Sequence, residues 1–266
     1  MITRADSDRS FEDLLAEGVS VPIEGWDFSW FEGRATEARP SWGYATAMAE
    51  RLAHATAALD VQTGGGEVLQ FALTRAAPQR PTLVVATEGW PPNAGKATAL
   101  LRPYGAAVVA SPEDAPLPFA DGAFDLVVSR HPVQAHWSEI ARVLEPGGRY
   151  FAQHVGPASV FELVEHFLGP QPEEVRGARH PDVERREAEA AGLEVVDLRA
   201  ERLRMEFYDI AAVVHFLRKV IWMVPDFSVE KYRPQLRELH ERIQSEGAFV
   251  AHSSRHLFDV RKPESA

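Results

Sequence analysis

The sequence predicts an α/β fold in which a doubly wound, mostly parallel sheet is covered by helices on both faces. Three observations predict it. From about residue 57 onward, short apolar runs alternate with amphipathic stretches, the rhythm of strand–helix–strand crossover units. The apolar runs are continuous rather than alternating, as in strands buried on both faces. The first of them ends in a glycine-rich loop, Asp60-Val61-Gln62-Thr63-Gly64-Gly65-Gly66, that opens a helix.

Each element follows from its local chemistry. Residues 1 to about 40 read as an irregular N-terminal segment rich in aromatics (Trp26, Phe28, Trp30, Phe31), either packed on the main domain or serving as a flap. Pro40-Ser41-Trp42 opens a helical stretch to about Ala57, with Ser41 as N-cap. Strands are expected at 57–61, 82–86, 106–110, 124–129 and 148–154, with helices at 67–76, 93–104 and 134–144 between them. Beyond these come a helix at 160–168 and a charged, proline-containing stretch to Arg186. A sixth strand follows at 193–198, then helices at 209–223 and 230–246 and a last strand at 249–260. The helical insertion, about 205–247, falls near the carboxyl edge of the sheet and reads as lid-like.

Composition narrows the function. The chain has 266 residues, which suits one large domain or one domain with a modest subdomain, and 45% are hydrophobic, enough for a proper core. There is no cysteine, so disulfides, thiolate metal sites and cysteine nucleophiles are excluded. The formal net charge of −11 repels phosphate backbones and argues against nucleic acid as the partner. No apolar run is long enough to span a bilayer and the polar N-terminus lacks a secretory core, so a cytoplasmic protein is expected. The ten histidines form no metal-ligand spacing, and no metal site is predicted.

The glycine loop carries the most information. Glycines at a strand-to-helix turn let the backbone turn sharply and approach a ligand closely. The loop lacks the Gly-Lys-Ser/Thr ending of a phosphate loop and the G-x-G-x-x-G spacing of a dinucleotide site. Asp60 to Gly66 instead resembles the first motif of class I S-adenosylmethionine-dependent methyltransferases, an acidic residue followed by G-x-G-x-G. Further segments resemble the same family in its order: Glu88 just past the second strand, Glu113-Asp114-Ala115-Pro116-Leu117-Pro118-Phe119, Asp121 to Arg130, and Glu139 to Arg149. The resemblance covers about Trp42 to Val155 and is of the small-molecule, type 11-like kind.

What the resemblance implies is specific. It implies a seven-stranded Rossmann-like sheet whose last strand is antiparallel, in a methyltransferase domain over 41–266. It implies S-adenosylmethionine as cofactor, leaving S-adenosylhomocysteine, with Asp60, Gln62, Thr63, Gly64 and Gly66 in the cradle. Glu88 would hold the ribose hydroxyls beside Gly89, Trp90 would stack on adenine, and Glu113 or Asp114 would meet the adenine amino group. The backbone amide of Asp114 or Ala115 would serve the ring nitrogen. Gln62 departs from the pattern by replacing the first glycine. Its side chain either swings away, hydrogen-bonds the cofactor carboxylate or fills part of the pocket.

After the fourth strand come Arg130, a cofactor-binding candidate, then His131, His136 and Trp137. His131 is a candidate general base, and His154 at the end of the fifth strand is another. In the insertion, His215, Arg218 and Trp222 are candidates for lining a substrate cavity, with helix packing as the alternative. The expected function is methyl transfer to a small molecule. The alternatives are a scaffold that has lost transfer and a fold relative that uses the bound cofactor for another reaction, such as a cyclisation.

Overall fold

A computed structural model describes residues 9–23 and 28–264. Trp26 lies outside them. In chain order the elements are α1 (Phe11–Ser20), β1 (Ala35–Glu37), α2 (Tyr44–Leu52), β2 (Ala57–Asp60), α3 (Glu67–Ala76), β3 (Leu83–Glu88), α4 (Pro91–Leu101) and β4 (Ala107–Ala110). They continue with β5 (Phe124–Arg130), α5 (Trp137–Val143), β6 (Leu144–Val155), α6 (Phe161–Leu168), α7 (Glu173–Arg176) and α8 (Pro181–Ala190). The chain closes with β7 (Glu194–Phe207), α9 (Ile210–Lys219), α10 (Arg233–Glu246) and β8 (Phe249–Arg261). The eight strands form one sheet in the order β1-β7-β8-β6-β5-β2-β3-β4.

The residues divide into two compact units. One comprises Pro40–Pro157, Arg179–Glu201 and Arg255–Ala266. Its strands β6, β5, β2, β3 and β4 are parallel, and β8 pairs antiparallel with β6, Tyr150 facing Val260. Apolar layers form on both faces of these strands. One includes Met48, Leu52, Leu69, Leu73 and Leu101 from α2, α3 and α4. The other includes Trp137, Ile140, Val143 and Ala188 from α5 and α8. The chain leaves β2 toward β3 and β4, then returns to the other side of β2 as β5. That reversal places a topological switch point at the carboxyl ends of β2 and β5, where open α/β sheets hold ligands.

The other unit comprises Met1–Arg39, Ala158–Ala178 and Arg202–Ser254. Helix α1 begins with a capping box in which Asp13 N donates to Ser10 Oγ at 3.2 Å and Ser10 N to Asp13 Oδ2. It buries Phe11, Leu14 and Leu15 in a core shared with Val213, Leu217 and Leu239. Asp209 caps α9 by accepting from Ala212 N at 2.8 Å. At Gly18 a Cβ would lie 2.7 Å from Ala211 O and 2.9 Å from Val214 Cβ, so only glycine lets α1 and α9 approach this closely.

Several expectations are corrected. The sheet has eight strands, not seven, because Ala35–Glu37 pairs antiparallel with a β7 that extends to Phe207 rather than stopping at 198. Within residues 1–40, α1 and β1 replace irregular chain. Ser41 is not the cap of α2; Gly43, at φ 55°, is, and Ser41 N donates to Glu201 Oε2 instead. Helix α5 starts three residues late and ends at Val143, since Leu144 already pairs with Phe124. The charged stretch before Arg186 contains α7 and the start of α8. Helix α9 ends at Lys219.

Candidate functional site

At the carboxyl end of β2, Asp60 is 6% exposed, and burial raises its carboxyl to about 7, with the Glu88 charge adding to the rise. Thr63 Oγ1 donates to Asp60 Oδ2 at 2.6 Å and partly offsets the shift. Glu88 ends β3 with its side chain turned to the same loop: Gly64 N donates to Oε2 at 2.8 Å and Trp90 N to Oε1 at 2.9 Å. Burial raises the Glu88 pKa, and these two amides oppose it. A carboxylate offers about four acceptor positions, so two amides fix its orientation and leave lone pairs for a diol. Gly66 opens α3 at φ 85°, and a Cβ there would be 3.1 Å from Leu101.

Gln62 has φ 59°, the left-handed region that glycine adopts freely. Its backbone N–H donates to Thr87 Oγ1 at 3.1 Å. Its side chain reaches the loop after β5, where Oε1 accepts from Val133 N at 2.6 Å and Nε2 donates to Gln134 O at 3.3 Å. The side chain therefore bridges the switch point. A cleft lies there, lined by Gln62, Thr87, Glu113, Leu117, His136 and Tyr150 among others.

In the segment after β4, His136 Nε2 donates to the Glu113 carbonyl at 2.6 Å, and Ala115 N–H closes a turn onto Pro112 O at 3.2 Å. Of the two backbone amides proposed for a ring nitrogen, Ala115's is thus spent, which leaves Asp114's. The Glu113 and Asp114 side chains are exposed. Trp90 is 47% exposed at the start of α4, with Gly89 beside it, and Arg130 is exposed at the end of β5.

His131 has φ 59° and sits in a fixed chain of hydrogen bonds. Trp42 Nε1 donates to Gln153 Oε1 at 2.8 Å, so the Gln153 amide nitrogen donates to His131 Nε2, also at 2.8 Å. The Nε2 lone pair is therefore occupied. Burial, with Arg130 and Arg255 nearby, holds the imidazole pKa well below its usual value. His154 is 2% exposed with both nitrogens engaged: Nδ1 with Glu184 Oε2 at 2.7 Å and Nε2 with Tyr150 Oη at 2.9 Å. Neither histidine presents a lone pair to a ligand.

In the other unit, His215 is buried between the rings of Trp30 and Phe31, at 4.9 and 5.0 Å, with its pKa lowered by burial to about 4. Arg218 donates to Gly18 O and Val21 O, and Trp222 is 60% exposed. These residues pack, tether or face solvent. Sequence reading missed Thr87, Gln153, Tyr150 and Glu184. Only Thr87, adjoining Glu88 on β3, carried a local signal. Among the described residues no cluster of three or more metal-ligating side chains forms, and no helix is long and apolar enough to cross a membrane.

Residues 59–152 match the methyltransferase-domain family. No curated protein matches the chain in sequence. Among solved structures, a Bacillus halodurans protein assigned as a methyltransferase is 19% identical with a TM-score of 0.57, over 82% of this chain and 98% of that one. A Galdieria sulphuraria protein assigned as a sarcosine dimethylglycine methyltransferase is 15% identical, TM-score 0.53, over 96% and 98%. The 4+2 cyclase SpnF is 16% identical, TM-score 0.51, over 94% and 93%. These likenesses show a shared fold.

Proposed function

We propose, from a chain whose residues 59–152 match the methyltransferase-domain family, that it transfers a methyl group from S-adenosylmethionine to a small molecule. The observation that supports this most is the convergence of Asp60, Gly64, Glu88 and Glu113 on one switch point, with Glu88 held by two backbone amides. The residues fit the cofactor at its nucleoside end. Glu88 would accept from the ribose diol, the Asp114 amide would meet the adenine ring and Glu113 its amino group, with Trp90 beside them. Gly66 and Gly64 keep the backbone low enough for close approach. When bound, the cofactor supplies a sulfonium-activated methyl group, and what remains for the protein is alignment and exclusion of water.

At the amino-acid end the fit depends on Gln62. Its bridge to Val133 and Gln134 ties the glycine loop to the loop after β5; on this reading, binding there requires the bridge to rearrange. This feature also favours a second reading, a methyltransferase fold that binds without transferring. Calorimetric titration with S-adenosylhomocysteine tests both. Binding together with methyl transfer to some acceptor supports the first, binding without transfer the second, and no binding at millimolar ligand removes both.

A further inference from the structure

We propose that a second cleft, between α8 and the loop after β5, binds a small zwitterion: a molecule carrying a carboxylate and an ammonium a few bonds apart, as an α-amino acid does. The cleft lies wholly within the unit that holds the parallel strands. It shares Pro132, Gln134 and Ala135 with the first cleft, so one loop forms part of both walls.

Its lining carries groups of both signs. The donors are Arg179, just before α8 and tied against the loop, and Trp137 at the start of α5. Arg179 Nη2 donates to Val133 O at 3.1 Å, which fixes the guanidinium against the loop and leaves its other N–H groups for a ligand. Trp137 also lines the cleft; it is 5% exposed, and its indole N–H is buried without a partner. A buried donor left unpaired costs free energy, which an acceptor that shifts the ring enough to reach it would recover. The α8 side carries the acceptors, Glu184 and Glu187, three residues apart on one face of the helix. Glu184 is partly committed to His154, and Glu187 is exposed.

This arrangement selects by charge at both ends of a ligand. A simple anion would gain Arg179 and the indole N–H but face two carboxylates. A simple cation would gain the carboxylates but face the guanidinium. Only a molecule with both charges satisfies both sides at once. The remaining lining, Val133, Val155 and Val183, offers apolar contact to a short side chain.

The test uses the full chain without cofactor, so its outcome is independent of the methyl-transfer reading, which the S-adenosylhomocysteine titration decides. The standard L-α-amino acids are titrated to about 10 mM by calorimetry and tryptophan fluorescence. At least one should bind. Its analogues lacking one charge (for L-alanine, propionate and ethylamine) should bind at least about tenfold more weakly, as expected for loss of a charged hydrogen bond. Arg179→Gln and Glu187→Gln, both at exposed positions that a folded chain tolerates, should each weaken binding about tenfold. Trp137→Phe should weaken it less and diminish the fluorescence change. The proposal is overturned if no amino acid binds, if a one-charge analogue binds as tightly as its parent, or if the Arg179 and Glu187 variants both bind like the parent protein.

Discussion

Gln62 occupies a glycine's backbone conformation and spends its side chain on two hydrogen bonds across the switch point. Replacing it with glycine relieves the left-handed strain but removes two hydrogen bonds and frees the backbone, so the fold should lose no more than about 2 kcal/mol of stability. Removing a bridge of two neutral hydrogen bonds, each about 0.5–1.5 kcal/mol, should tighten S-adenosylhomocysteine binding about tenfold. Side-by-side calorimetry checks this; a mutant that binds worse would assign Gln62 to the ligand. Glu88→Ala should weaken the same binding by about 1.5–3 kcal/mol, and unchanged affinity would move the ribose contact elsewhere. Asp60 gives a pH signature. Its pKa rises to about 7 on folding, so between the unfolded value, about 3.9, and the folded one the native state holds more protons than the unfolded state. Its contribution to stability is therefore greatest at low pH and is lost as pH rises through that window. Asp60→Asn keeps an acceptor for Thr63 and removes the loss, so the melting temperature of the variant relative to the parent should climb from pH 5 to pH 8. A constant difference would mean that Asp60 titrates normally.

At the scale of elements, the parallel strands were legible because each is a continuous apolar run with its own turn signals. Other elements exist only through their partners. Ala35-Thr36-Glu37 has no strand pattern and becomes β1 because β7 offers it an edge. Helix α8 buries only Ala188, so it leaves almost no apolar stripe to detect. In the candidate site, Asp60 and Glu88 could be read because they sit at fixed offsets from a glycine loop. Gln153 and Glu184 could not, because they act on His131 and His154 from 22 and 30 residues away. The α1–α9 contact is equally silent in the sequence and gives a direct test. Gly18→Ala would place a methyl group 2.7 Å from Ala211 O, so it should destabilise the chain by about 1–3 kcal/mol in denaturant unfolding. An unperturbed midpoint would show that the two helices can move apart freely.

For the whole molecule, the governing fact is that one compact unit is assembled from three separated stretches of chain. Residues 1–39 supply Phe11, Leu14, Leu15 and Phe31 to its core. Deleting them should leave the α9 surface uncovered and give strong binding of a hydrophobic dye; a truncated chain that stays monomeric and dye-silent would show that this segment is dispensable. The same arrangement has a consequence during synthesis. Strands β2 to β6 come from the continuous stretch 57–155 and can assemble as they emerge from the ribosome. Helix α1 emerges early but must wait about 200 residues for α9, on the order of 10–40 s at translation rates of 5–20 residues per second. For that interval its apolar face has no native partner, and a nascent-chain chaperone has a defined window in which to hold it.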